Sequence, residues 1–394
     1  MKRFPASFPN LPPKECIHFQ KCSGCSELLN DKPPKIWQEV CDFFPFVCHP
    51  ILHQGNPIHW RFRAKVAVRG TSLHPLIGLF KEKSHEVIPI PNCLVHHPQL
   101  NHAFSIIQKA LFEKKLEPYN EKTGIGDLRY LQGIVERKTQ RVQLTFILNF
   151  SQSDKIRMNV WKKAIHSIAE DHPELWHSLW INFNPKKTNT IFGEQWEKVS
   201  GEGLLWEQFE DTAVCYGPAS FGQANLNLFE KMLIQIRNLI PHDSKVVEFY
   251  AGVGAIGLFI SKKCASIKCC EINPFAEEFF NHSKEKLTNN LNQKISFSTI
   301  ATHQSLSLLE NADTVIVDPP RKGLEDSFFN ALIKASSVKQ LLYVSCGWDS
   351  FQRDYKRLLN DGWTVKNVDG YVFFPGSNHI ELLANFEKEK TIFS

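Results

Sequence analysis

The chain has 394 residues, 42% hydrophobic and 22% charged, with 22 Pro, 20 Gly and 11 Cys, which excludes a disordered or collagenous chain and leaves room for two or three domains. Its net charge of +5 is uneven, +9 over residues 1–200 and −4 over residues 201–394, so a half suited to a polyanion precedes a mildly acidic one. No apolar run reaches the ~18 residues of a membrane span, and the start MKRFPASFPNLPPKEC has no secretory core; a cytoplasmic protein is expected, its cysteines serving metal or chemistry rather than disulfides.

In chain order, residues 1–15 carry four prolines and read as an irregular arm. Cys16, Cys22 and Cys25 follow as C-x5-C-x2-C, three thiols close enough to share one metal centre that still needs a fourth ligand. Cys41, Cys48 and Cys93 are available for an iron–sulfur site, and His18, His96 or His97 for a zinc site. HWRFRAKVAVRG alternates as a strand, with Trp60, Phe62, Ala64, Val66 and Val68 on one face and Arg61, Arg63, Lys65 and Arg69 on the other. A helix is predicted over residues 102–116 and a strand over residues 141–148.

From residue 220 the pattern changes. A helix over NLNLFEKMLIQIRNLI leads into seven strand-like segments: KVVEFYA, SIKCCEI, KISFSTI, ADTVIVDPP, KQLLYVSC, WTVKNVDGY and IELLANFEK. The first five are spaced for crossovers, which predicts a parallel sheet covered by helices; the last two predict an antiparallel edge. The domain boundary is expected near residue 215, dividing the chain into residues 1–215 and 216–394.

The first of these strands runs into Glu248-Phe249-Tyr250-Ala251-Gly252-Val253-Gly254-Ala255-Ile256-Gly257, a G-x-G-x-x-G turn suited to close approach of an adenosine cofactor. Glu271 ends the next strand, where a carboxylate accepts from ribose hydroxyls. Glu248 before the loop suits a cationic ligand better than a pyrophosphate, so S-adenosylmethionine is favoured over a dinucleotide. Asp318 and Cys346 end the fourth and fifth strands, at the carboxyl edge where ligands bind. His379 and Glu381 follow in the loop before the last strand as acid–base candidates.

Five motifs in order, Phe221-Gly222-Gln223-Ala224-Asn225, the glycine loop with Glu271, DPPRKGL at 318–324, VSC at 344–346 and FPGSNHIE at 374–381, resemble those of the RNA uracil-5-methyltransferase family. The resemblance implies a Rossmann-like class I methyltransferase domain with a seven-stranded sheet, preceded by a strand-rich α+β domain carrying an iron–sulfur site. It implies that Gln223, Tyr250, Gly252, Gly254, Glu271 and Asp318 hold S-adenosylmethionine. It further implies that Cys346 attacks C6 of a uracil, Asp318 hydrogen-bonds the base and Glu381 removes the C5 proton. Cys93 becomes the fourth ligand of a 4Fe-4S cluster with Cys16, Cys22 and Cys25, as in many members. RNA contact is then expected from Arg61, Arg63, Lys65 and Arg69. The cluster cysteines, and a chain too short before Cys16 for the barrel domain that many members carry, favour 23S ribosomal RNA over transfer RNA as the partner. Two positions depart from the family: Gly347-Trp348 stands where Asn-Pro is usual after the nucleophile, and Ala251 where Cys is frequent. An RNA-binding homologue with impaired catalysis and an iron–sulfur oxidoreductase with a dinucleotide domain are the alternatives.

Overall fold

The computed structural model describes residues 16–27, 29, 32–44, 49–188 and 190–388; the arm expected over residues 1–15, and Cys48, lie outside them. Helix α1 (Ile36–Phe43) and the three-residue strand β1 (Ile51–His53) are the first elements among the described residues. Then come β2 (Arg63–Gly70), β3 (Pro75–Phe80), β4 (Val87–Pro89) and the helix α2 (Pro98–Glu113). β5 (Leu128–Val135), β6 (Val142–Leu148), α3 (Lys155–Asp171), β7 (Trp176–Phe183) and β8 (Gln195–Gly201) complete the first layer. Strands β2 to β8 form one sheet in the order β4-β3-β2-β5-β6-β7-β8, antiparallel except for the β6–β7 pair. The parallel step is bridged by α3, as such a step requires a crossover. Both helices pack on this sheet and cover its apolar face, which includes Ala64, Val66 and Val68 of β2. Pro98 at the first turn and the His97 ring accepting from the Gln99 N–H start α2; the Asp154 carboxylate accepting from the Arg157 N–H starts α3.

A hairpin of β9 (Leu205–Phe209) and β10 (Thr212–Tyr216) leads to α4 (Leu226–Leu239). The second layer follows as β11 (Ser244–Phe249), α5 (Ala255–Ile260), β12 (Cys264–Glu271), α6 (Phe275–Lys284), α7 (Asn289–Lys294) and β13 (Ile295–Thr299). It ends with β14 (Thr314–Val317), α8 (Asp326–Lys334), β15 (Gln340–Ser345), α9 (Trp348–Asn360), β16 (Trp363–Tyr371) and β17 (Glu381–Lys388). All seven segments read as strands are strands, and β11 to β15 run parallel. β17 inserts antiparallel between β15 and β16.

The expected seven-stranded sheet has eight strands, ordered β1-β16-β17-β15-β14-β11-β12-β13. β1 lies parallel to β16, pairing Ile51 with Asp369 and His53 with Tyr371, so β16 is no longer an edge. The His53 ring stacks on Tyr371 at 4.6 Å and its Nε2 meets Asp369 Oδ1 at 2.8 Å. α1 joins the same layer: Phe43 and Phe44 meet Tyr355 of α9 at 5.0 and 5.2 Å, edge to face. Residues 36–44 and 51–53 therefore pack with the C-terminal sheet although they precede the first sheet in the chain.

Candidate active site

The glycine loop turns sharply between β11 and α5, with positive φ at Tyr250 (60°), Gly252 (55°) and Gly254 (74°). The glycines differ in task. A Cβ on Gly252 would meet nothing within 4 Å, so its face is open to a ligand, whereas one on Gly254 would strike Phe280 at 2.6 Å. At Gly257 it would meet Cys269 Sγ at 2.6 Å and Glu248 Oε2 at 2.8 Å, so this glycine serves close packing of α5 on the sheet. Glu271 is fixed by backbone donors: Oε2 accepts from Gly252 N and Oε1 from Ile272 N and Asn273 N, each at 2.9 Å. Its remaining lone-pair capacity suits a hydroxyl.

Glu248, which the sequence places before the loop as a partner for a cationic ligand, does not face the loop's open side. Instead it is buried beneath the loop, its Oε2 accepting from Gly257 N at 2.9 Å and from the Cys269 thiol at 3.3 Å. Burial pushes its carboxyl up to about 8. It braces the turn, and the preference for a cationic ligand over a pyrophosphate loses that support.

The second half of the site lies where β14, β15 and β17 meet. Asp318 follows β14, Cys346 follows β15 and Glu381 opens β17; sequence-distant motifs converge because these three strands are neighbours. The Cys346 thiol faces the Pro319 carbonyl at 4.0 Å. Burial, then the charges of Glu381 and Asp318, push this thiol up to about 11, while Arg321 pulls it back. Glu381 is pushed up to about 8 by burial and by Asp318, again opposed by Arg321, and burial alone lifts Asp318 to about 7. Three acidic groups thus share a pocket that disfavours negative charge, a setting for proton transfer near neutrality. Arg321 of the DPPRKGL motif, which the sequence alone does not mark for a role, is a cation that acts on both Cys346 and Glu381. His379 is exposed.

Asp354, fully buried, holds the DPPRKGL loop against α9. Its Oδ2 accepts from Leu324 N at 2.8 Å and from the Tyr343 hydroxyl at 2.9 Å. No sequence signal marked this residue, since an aspartate inside an amphipathic helix reads as solvent-facing.

The departure at Gly347-Trp348 has a steric cause. A Cβ at residue 347 would lie 2.6 Å from the Arg321 carbonyl oxygen and 2.7 Å from Ser350 Oγ, so no side chain fits there. Trp348 stacks on Phe351 at 6.0 Å and meets Phe43 of α1 edge-on at 5.3 Å. Gly347→Asn, which restores the family's usual residue, is therefore expected to destabilise the protein by about 1–3 kcal/mol, read as a lower Tm; an unchanged Tm would show that the loop relaxes freely.

Asn225 of the F-x-Q-x-N motif caps α4 by accepting from Leu228 N at 3.3 Å and donates to the Phe373 carbonyl at 3.3 Å, joining that helix to the loop carrying Glu381. Gln223 lines a narrow cleft with Arg63, Glu207 and Tyr216.

The basic strand face is only partly as expected. Lys65 is exposed, but Arg63 donates to the Ser220 carbonyl and lies over the Tyr216 ring at 5.9 Å. Arg69 is buried, donating to the carbonyls of Val68 and Arg129 at 2.8 Å and pairing with Glu121. Arg61 lies over Trp60 at 4.6 Å and lines a cavity of about 160 Å³. Other layers cover this face, which alternation alone does not reveal.

That cavity is also lined by Cys16, Cys22, Cys25 and Cys93. Burial and the neighbouring thiols push Cys25 up to about 12, and burial raises Cys93. The Gly24 N–H reaches Cys22 Sγ at 3.2 Å. His18 Nε2 is engaged with the Pro91 carbonyl at 2.7 Å. Among the described residues no group of three His, Cys, Asp or Glu side chains is placed to hold a metal ion. Cys215, Cys264, Cys269 and Cys270 are buried in the core.

A glycine loop with a carboxylate fixed at its edge, and a thiol near two carboxyls on the same edge of a Rossmann-like sheet, fit a methyltransferase-type α/β enzyme. Residues 198–388 match the family model described as tRNA (Uracil-5-)-methyltransferase. An uncharacterised RNA methyltransferase of Protochlamydia amoebophila is 50% identical over 374 residues, 95% of this chain and 97% of that protein. One from Oceanobacillus iheyensis is 27% identical, over 92% of this chain and 81% of that protein. The crystal structure of Pyrococcus abyssi tRNA (uracil-54, C5)-methyltransferase with S-adenosyl-L-homocysteine shares the fold, with a TM-score of 0.71 and 23% identity, covering 89% of this chain and 81% of that one. The chain belongs to the RNA uracil-5-methyltransferase family. No helix among the described residues is long and apolar enough to cross a membrane.

Proposed function

We propose that this enzyme transfers a methyl group from S-adenosylmethionine to C5 of a uridine in RNA through a covalent adduct on Cys346. The convergence of Cys346, Glu381, Asp318 and Arg321 at one sheet edge carries the reading. Uracil C5 is a weak nucleophile. Addition of the Cys346 thiolate at C6 forms the C6–S bond and moves the C5–C6 π electrons towards O4 as an enolate. C5 then takes the methyl group as its bond to sulfur breaks and S-adenosylhomocysteine leaves. Glu381, as carboxylate, removes the C5 proton; the C6–S bond breaks and the thiolate departs. Asp318, kept close to neutrality, hydrogen-bonds the base, and Arg321 balances the thiolate. Tyr250, Gly252, Gly254, Glu271 and Gln223 are assigned to the methyl donor, supported for the loop residues by the open face of Gly252 and the fixed carboxylate of Glu271.

We assign the four-thiol cavity to a 4Fe-4S cluster. The donor set fits: four cysteines line one cavity, and thiols that resist ionisation together are stabilised as thiolates by a multi-iron core. Bound, the cluster supplies a covalent cross-link between residues 16–25 and residue 93, since the reaction transfers no electron. Cys93→Ser is expected to abolish the iron and sulfide content of anaerobically purified protein and to lower its Tm; full iron and sulfide retention would remove Cys93 from the assignment.

The cysteine set favours 23S ribosomal RNA as substrate. The Pyrococcus neighbour, which acts on uracil-54 of tRNA, supports tRNA as the second reading. Incubation with S-adenosylmethionine and unmodified ribosomal or transfer RNA is expected to yield 5-methyluridine by nucleoside mass spectrometry, with the mapped position deciding between them. No 5-methyluridine in either RNA overturns the activity.

A further inference from the structure

Away from the glycine loop and Cys346, an open hollow of about 560 Å³ lies on the β2–β3–β5 side of the first sheet. Its lining combines the half-buried rings of Phe80 and Tyr130, the buried ring of Tyr119, and the cations Lys65, Arg129 and Lys187. Beneath it, Arg69 lies within 5.1 to 5.6 Å of the centres of Phe80, Tyr119 and Tyr130, and Arg129 lies 5.0 Å from Tyr119.

Its charge is unbalanced. Arg69 and Arg129 are both more than nine-tenths buried, yet Glu121 is the only acid lining the pocket, and it is taken by Arg69 and His85. Arg129 donates only to carbonyls, those of Asn184 and Lys186 at 2.8 and 2.7 Å and of Thr188 at 3.4 Å. The Nε atoms of both arginines are buried without a hydrogen-bond partner. A buried cation without a compensating charge is costly, so the pocket favours an anion. Aromatic walls around it favour an anion that carries a flat ring.

The pocket is also in register with the methyltransferase layer. Ala67 of β2 pairs with Tyr130 of β5 at the pocket, and Arg63 pairs with Ile134 nearer the other layer. Arg63 and Gln132 donate to the carbonyls of Ser220 and Pro218, in the segment leading into the F-x-Q-x-N motif. The two ends lie four residue steps apart along β2, about 13 Å, with exposed Lys65 between them.

We propose that this pocket is a second RNA subsite, which holds one unstacked, non-target nucleotide of a single strand while the target uridine occupies the Cys346 site. The base lies against Phe80 and Tyr130, and its phosphate is met by Lys65, Arg129 and Lys187. This deepens the RNA methyltransferase reading and rests on it.

The test uses the full chain and a labelled single-stranded RNA of about 12 nucleotides carrying 4-thiouridine, with a blunt duplex of the same sequence and a polyglutamate peptide as comparisons. Tyr130→Leu is expected to weaken single-strand binding about tenfold, as loss of one stacked base does, with the salt dependence unchanged. Lys65→Ala and Lys187→Ala are expected to weaken it by a similar factor and to reduce the slope of log affinity against log salt by about one each. Crosslinked peptides should contain Phe80 or Tyr130, and S-adenosylmethionine affinity should stay unchanged. If Tyr130→Leu does not fold, the two lysine variants and the crosslinks decide. Wild-type affinity and salt slope in the variants, crosslinks confined to other surfaces, or a duplex bound as tightly as the single strand would overturn the subsite. Polyglutamate binding that is lost in the lysine variants, with RNA crosslinked elsewhere, would make the pocket an acidic-peptide site instead and also overturn it. RNA crosslinked in the pocket by a protein that makes no 5-methyluridine would keep the subsite and sink only the methyl-transfer reading.

Discussion

Cys346→Ala is expected to lower the rate of uridine methylation by about 10⁴-fold or more, because the step that makes C5 nucleophilic is lost with the thiolate. On RNA containing 5-fluorouridine the wild-type protein should form a complex stable to denaturing electrophoresis, since no base can remove fluorine from C5. The alanine variant should form none while retaining S-adenosylmethionine and RNA binding. The surroundings of the thiol make this a demanding nucleophile. With the free thiol near 11, only about one molecule in 10⁴ is a thiolate at pH 7. The approach of a cationic sulfonium towards Asp318 and Glu381, together with Arg321, works in the direction that lowers that value. Covalent trapping by Cys346→Ala at the wild-type level would refute the assignment of the nucleophile.

The placement of the candidate site residues on one sheet edge was legible because it is locally encoded. DPPRKGL, VSC and FPGSNHIE each sit at the end of a strand whose apolar run is unmistakable, and parallel strands place such ends on one edge. What escaped the sequence depended on a second layer. Arg63, Arg69 and Lys65 share a strand parity, yet the segment around Ser220 covers the first, Glu121 and three rings enclose the second, and only the third is exposed. Periodicity distinguishes two faces of a strand and is silent on what lies above each. β1 was missed because three residues carry no period. Cys93 shows the converse: sixty-eight residues separate it from Cys25, and only the family resemblance chose it over Cys41 and Cys48, yet it lines the same cavity as the other three cysteines. The Gly347-Trp348 departure belongs to the packing of α1 on α9, a contact between segments about 300 residues apart that no local sequence pattern reveals.

Glu381→Gln is expected to separate methyl transfer from product release. Cys346 addition and transfer from sulfur to C5 need no base at C5, so the variant should complete both and then stop at the methylated adduct. A protein–RNA complex carrying the transferred methyl group should accumulate in a single turnover, while turnover falls by about 10²–10⁴-fold, the usual worth of a general base. The pH dependence follows from the raised carboxyl. Glu381 titrates near 8 in the free protein, so it is protonated and inactive as a base below that value and competent above it. Wild-type kcat/KM should therefore rise with pH up to about 8, falling about tenfold per pH unit on the acid side when proton removal limits the rate. Bound S-adenosylmethionine, a cation near Asp318 and Glu381, should move the midpoint to lower pH and bind more tightly as pH rises, since deprotonated carboxyls favour it. In the glutamine variant the methylated adduct should persist at every pH in this range. Release of 5-methyluridine by Glu381→Gln at the wild-type rate would assign the C5 proton to another group.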